Sequence, residues 1–183
     1  MLNSNYPMSQ RGALFDSPFV LATIVSFLLV GVAACQKNES PSAKNDLEQL
    51  LQTKQCLKCD LSGAQLSGAN LQGAKLNYTN LSGAELSGAN LSGALLDSVD
   101  FSGANLSNVN LSSAALAKAN LSGANLTEAN LSEAFLRAAN LQDAQLSNTK
   151  FNDADLNTAN LDGVDINSAD FQGAMMPDGT IKK

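Results

Sequence analysis

An all-β solenoid of four-sided coils is the fold this sequence predicts, and two observations predict it. First, from Leu61 to Phe171 a large apolar residue recurs at every fifth position, twenty-three times, with a small residue three positions after each. The large positions are Leu except at Phe101, Phe151, Ile166 and Phe171, and the small ones are Ala except at Thr79, Val99, Val109, Thr149 and Val164. Second, the residue just before each large one follows a longer rhythm. Positions 60, 70, 80 and onward to 170 are Asn, Asp or, once, Lys150. The intervening positions split again, into polar Gln65, Glu85, Asn105, Asn125, Gln145 and Asp165 and a mixed set of Lys75, Leu95, Ala115, Phe135, Asp155 and Met175.

A period of five fits neither regular element. On a helix, at about 100° per residue, the Leu positions would scatter around the circumference. In a flat strand every second Leu would face water. The chain must therefore turn once per repeat, and the Ser-Gly pairs at 62-63, 67-68, 82-83, 87-88, 92-93, 102-103 and 122-123 suit that corner. A twenty-residue coil keeps the outward classes on separate faces, whereas a fifteen-residue coil would mix them.

The run A-N-L-S-G-A-N-L at 119–126, echoed by A-N-L at 69–71, 89–91 and 104–106, resembles the pentapeptide repeat family. That resemblance implies a right-handed quadrilateral β-helix. Twenty-three repeats at four per coil give about six coils, and strand spacing makes the stack about 28 Å long.

The elements follow in chain order. Residues 19–34 form an uncharged apolar run, too short for a spanning helix but suited to a signal-peptide core over 1–34, with Arg11 as the basic flank and Asp16 weakening it. It ends in Val32-Ala33-Ala34-Cys35, which resembles a bacterial lipobox and implies cleavage before Cys35 and a diacylglycerol anchor on its sulfur. Simple cleavage after Ala34, releasing a soluble protein, and an uncleaved anchor stay open. Residues 35–45 are polar, hold Pro41 and read as a flexible tether.

Asn45-Asp46-Leu47-Glu48 has capping-box spacing, and Leu47, Leu50 and Leu51 then share a helical face, so 46–58 is expected to hold a short cap helix and the lead into the first coil. Residues 59–176 are the β-helix. Residues 177–183, opening with Pro177-Asp178-Gly179, form a turn and tail, a thinner cover that leaves this end the more open to a partner.

Cys56 and Cys59 fall on the large and small inward registers, which favours buried first-coil residues, disulfide-bonded after export. A redox pair or metal ligands are the alternatives, although one pair without His cannot complete a four-ligand zinc site. The segment from Gln55 to Ala64 resembles the start of exported cyanobacterial members of the family. Gln36, where an Asp would imply inner-membrane retention, leaves the membrane open.

Composition excludes several functions. The chain has no His and no Trp, and its Ser residues sit at corners away from any base, so no catalytic residue, cofactor or metal site is expected. Asp153, Asp155, Asp162, Asp165 and Asp170 spread over several faces and read as solvated surface. With a net charge of −6 the protein will not seek nucleic acid by counterion release.

The leading reading is a non-enzymatic scaffold or interaction module of the bacterial envelope, membrane-attached through Cys35 and facing periplasm or thylakoid lumen. One alternative is an acidic DNA mimic acting on a DNA topoisomerase, as the resemblance implies for cytoplasmic members. The other is a thiol-disulfide protein using Cys56 and Cys59. Phe151 and Phe171, one coil apart on one face, are positioned to stack. Leu95, Ala115 and Phe135 break the polar pattern on consecutive coils, which reads either as a tolerated lapse in the repeat or as a contact surface for an unidentified protein partner or a second copy.

Overall fold

The computed structural model describes residues 41–183. The expected signal peptide over 1–34, the lipidation site Cys35 and the tether as far as residue 40 lie outside the described residues. Among the described residues no helix is long and apolar enough to cross a membrane.

The first element is helix α1, Pro41–Thr53. It starts upstream of the expected Asn45 cap, so residues 41–45, assigned to the tether, are helical. Proline suits that first position, because the N–H it lacks would have no partner in a helix's opening turn. Leu50 is fully buried and Leu47 packs partly against the coil core, but Leu51 is 57% exposed, contrary to the shared face expected of all three. Residues three apart already fill the contact, and Leu51 lies a further 100° or so around the helix. Lys54 ends the helix with its N–H on the Leu50 carbonyl at 2.8 Å and a left-handed φ of 55°.

Five-residue units then repeat, each holding a large inward residue, a two-residue turn, a small inward residue and one outward bridge residue. The turn closes when the small residue's N–H donates to the large residue's carbonyl, as Ala84 does to Leu81 at 3.1 Å. Every corner from Lys58 to Gly163 has positive φ at its second turn residue, whether Gly83 at 61° or Tyr78 at 63° and Thr158 at 60°. The corner shape is therefore general. Glycine only removes a strain that other residues there carry at about 1 to 2 kcal/mol apiece.

Bridge residues pair in parallel with the residue one coil on, Asn90 with Asn110 and Asn110 with Asn130, which fixes the coil at twenty residues. Each ladder step uses two bonds, for example Asn110 N–H to the Ala89 carbonyl at 2.9 Å and Leu91 N–H to the Asn110 carbonyl at 2.7 Å. Four columns result. Face 1 runs Gln55, Lys75, Leu95, Ala115, Phe135, Asp155, Met175, and face 2 runs Asp60, Asn80, Asp100, Asn120, Asn140, Asn160. Face 3 runs Gln65, Glu85, Asn105, Asn125, Gln145, and face 4 runs Asn70, Asn90, Asn110, Asn130, Lys150, Asp170.

The large and small residues fill the interior, with the Leu of the large inward register from Leu61 to Leu156 almost wholly buried. Two buried threonines satisfy their hydroxyls against backbone, Thr149 Oγ1 donating to the Leu126 carbonyl at 2.7 Å and Thr79 Oγ1 to that of Cys56. Phe151 and Phe171 stack with ring centroids 4.7 Å apart and planes 3° from parallel.

One inward expectation fails. Ile166 is 40% exposed, because Ile166–Ser168 form a 3₁₀ turn where face 3 should continue. Asp165 Oδ1 accepts from Asn167 N–H at 3.0 Å, and Ser168 Oγ donates to the Asp165 carbonyl at 2.7 Å. Local bonds thus replace the Gln145 to Asp165 bridge, and Asn148 N–H reaches the Ser168 carbonyl at 2.8 Å. The tail then reverses direction. Met175 and Ile181 pair antiparallel around the turn that begins at Pro177, with Lys182 N–H on the Ala174 carbonyl at 2.9 Å.

Candidate interaction surface

Most outward Asn and Asp residues are committed to holding the corners. Their Oδ1 accepts the backbone N–H two residues on, as Asn80 does from Ser82 at 3.0 Å and Asp100 from Ser102 at 2.9 Å. Their amides also link coils, Asn120 Nδ2 to Asp100 Oδ1 at 3.0 Å and Asn140 Nδ2 to Asn120 Oδ1 at 3.3 Å. Face 2 is consequently a self-satisfied polar ladder.

Face 1 differs. Leu95 is 42% exposed, Phe135 is 55% exposed, and Ala115 between them is half-buried. Parallel bridges place the three in one vertical file. None can accept the corner N–H, so Ala117 N–H turns instead to Asp97 Oδ1 in the coil below, at 3.1 Å. Asp97 also receives Asn77 Nδ2 at 3.2 Å.

Above the apolar file Arg137 Nε meets Asp155 Oδ2 at 2.5 Å. Partial burial raises the Asp155 carboxyl, but the Arg137 hydrogen bond, the Asn157 N–H and the guanidinium charge outweigh it and hold the group below the ordinary carboxylate value. Below the file Lys75 is exposed. Face 1 therefore presents a base, two apolar side chains around an alanine, and an acid, in vertical order.

The first coil carries the other feature. Cys56, fully buried, and Cys59, partly buried, are joined as a disulfide with Cα atoms 5.5 Å apart. Both sulfurs are spoken for, which leaves them no thiolate for a metal or for nucleophilic attack. Nearby Asp46 on α1 takes the Asp60 N–H on Oδ2 at 3.2 Å. That residue was not singled out from the sequence. It does for the first coil what a preceding coil would do.

The carboxylates near the C-terminal end are not brought together as a cation site. Asp165 caps its own turn, Asp155 pairs with Arg137, and Asp170 accepts from Asn152 Nδ2 at 2.8 Å. The Asn152 hydrogen bond, together with the Gln172 N–H, keeps Asp170 below the usual carboxylate value.

Comparison with known proteins finds the same repeat in sequence. Residues 64–103 match a family model described as pentapeptide repeats (8 copies), and residues 94–171 match one described as a pentapeptide repeat region. Among solved structures, a pentapeptide repeat protein from Nostoc is 35% identical over 68% of this chain and 91% of its own, with a TM-score of 0.27. A pentapeptide repeat protein of the cyanobacterium Cyanothece is 28% identical over 76% of this chain and 99% of its own, with a TM-score of 0.37. One from the thylakoid lumen of Arabidopsis thaliana is 31% identical over 64% of this chain and 72% of its own, with a TM-score of 0.28. No curated protein matches the chain.

Proposed function

The chain belongs to the pentapeptide repeat family, and from that premise we propose that it is a non-enzymatic protein-interaction module held at a membrane of the bacterial cell envelope by a lipid on Cys35. The observation that carries the interaction reading is the exposed file of Leu95, Ala115 and Phe135 on a solenoid whose other outward columns are largely occupied with their own hydrogen bonds. Contiguous apolar surface in register is what a binding partner covers. A filled core leaves recognition to the side chains that the coils display at fixed spacing, and the work of the protein is to hold them in place.

The anchor rests on Val32-Ala33-Ala34-Cys35 after the apolar run 19–34. Labelled palmitate is expected to enter the protein in cells, and Cys35→Ser is expected to abolish the label and alter processing. Incorporation that persists in Cys35→Ser removes the anchor from the proposal.

The interaction reading has its own test. A photo-crosslinking residue in place of Phe135 in the membrane-bound protein is expected to give discrete adducts. The same residue in place of Gln145, exposed on face 3, is expected to give none. Equal adduct patterns from both positions, or none from either, would overturn it.

A further inference from the structure

We propose that face 1 is a self-association surface, on which two copies pack antiparallel about a two-fold axis at the level of Ala115. The inference deepens the interaction reading above by naming the partner as a second copy of this chain. It rests on the order of residues along three neighbouring columns, each of which becomes complementary to itself when reversed.

In the bridge column, Lys75, Leu95, Ala115, Phe135 and Asp155 are stacked on consecutive coils. Turned end for end about Ala115, Lys75 faces the other copy's Asp155, Leu95 faces Phe135 and Ala115 faces itself. The flanking corner column carries Asn77, Asp97, Ala117, Arg137 and Asn157 at the same five levels. The same operation sets Asp97 against Arg137, Asn77 against Asn157, and Ala117 against itself. On the other side Gly73, Gly93, Ser113, Glu133 and Asp153 bring both acids opposite glycines and Ser113 opposite itself. No like charges meet.

The charges also join into a chain. Arg137 already holds Asp155 at 2.5 Å within one copy. In the pair, Lys75 of the other copy approaches Asp155 and Asp97 of the other copy approaches Arg137, giving an alternating four-member network at each end. Networks of this kind contribute where isolated surface pairs do not. Alanine at the central level in two columns lets the faces approach closely, so Leu95 and Phe135 can touch across the axis.

A parallel arrangement fails the same test. It sets Lys75 on Lys75 and Asp155 on Asp155, which costs attraction at both ends. An isologous two-fold contact is also the commonest closed assembly and needs no second surface. The file from Lys75 to Asp155 spans about 19 Å at the ordinary strand spacing, so the contact lies at the small end of specific interfaces. Association is therefore expected to be weak in dilute solution.

Cysteine crosslinking of the full chain in detergent tests the geometry. The chain has three cysteines, so in a Cys35→Ser background the introduced thiol is the only one outside the Cys56–Cys59 disulfide. Ala115→Cys, on the axis, is expected to give a crosslinked dimer under mild oxidation. Leu95→Cys mixed with Phe135→Cys is expected to give several-fold more dimer than either alone. Gln145→Cys on face 3 supplies the background level.

The double variant Leu95→Asn with Phe135→Asn is expected to weaken association by about tenfold or more, the scale of losing one interface anchor. It should keep the parent's melting profile, since both side chains are exposed. Crosslinking no stronger than Gln145→Cys, or Leu95→Cys linking to itself as readily as to Phe135→Cys, overturns the antiparallel pair. If the double variant loses a different crosslinked protein while the parent runs as a monomer, the second copy is excluded and the broader interaction reading survives. Loss of neither leaves both readings overturned.

Discussion

Phe151→Ala is expected to destabilise the protein by about 3 to 5 kcal/mol, the range for truncating a buried aromatic. Phe151 is fully buried and its ring lies flat on Phe171 at 4.7 Å, so the substitution empties volume in one coil and strips the ring above of its partner. The stacking itself contributes about 0.5 to 1.5 kcal/mol of that figure. Because coils contact only their neighbours, the loss is expected to show first as early hydrogen exchange from about residue 141 onward, ahead of the remaining coils. Phe135→Ala is the matched control. It removes the same atoms from an exposed position and is expected to shift stability by no more than about 0.5 kcal/mol. Equal losses in the two variants would contradict the inward and outward assignment of the columns.

Ala104→Leu tests the opposite failure, too much volume. Ala104 is almost wholly buried, where inward side chains from four faces converge. Three extra heavy atoms there must push neighbours off their rotamers or separate two coils, which costs about 1 to 3 kcal/mol. Ser102→Leu, two residues away at the corner, adds a large side chain at a partly exposed outward position and is expected to change stability by less than about 0.5 kcal/mol. Thermal melts of both variants decide the matter. An Ala104→Leu protein as stable as Ser102→Leu would mean that the interior has slack at the small positions.

The twenty-residue coil was legible because side-chain class and position were correlated along the chain. An outward column can be polar, mixed or apolar without affecting the core, and the split between the Gln65 and Lys75 series marks four sides in the sequence itself. The Phe151 and Phe171 stack followed from the same arithmetic, since residues one coil apart share a face. Ile166 did not follow. Periodicity registers where a residue falls, but not whether backbone groups nearby have a cheaper local partner. Asp165 and Ser168 supplied one, Ser168 Oγ donating to the Asp165 carbonyl within the 3₁₀ turn.

The candidate surface was legible for a related reason. Leu95, Ala115 and Phe135 stood out against a background of Asn and Asp, although why that background exists was not apparent. Those residues accept the corner N–H two positions on, a bond that depends on backbone geometry and carries no apolar pattern. Asp97 as the substitute acceptor for Ala117, and Asp46 as the acceptor for Asp60, were hidden because each acts across the coil stack on a residue distant in sequence.

The reversed tail has a consequence for assembly from end to end. A parallel ladder has the same spacing and polarity at both of its ends, so the last coil of one molecule is a template for the first coil of the next. Ile181 runs antiparallel to Met175, and the turn at Ile166–Ser168 interrupts face 3 one step before the end. At the start, α1 lays Leu50 over the first coil and Asp46 takes one of its free amides. On face 1 a newcomer therefore meets a strand of the wrong direction at one end, and at the other end it meets a helix, so growth along the coil axis is opposed there by polarity as well as by cover.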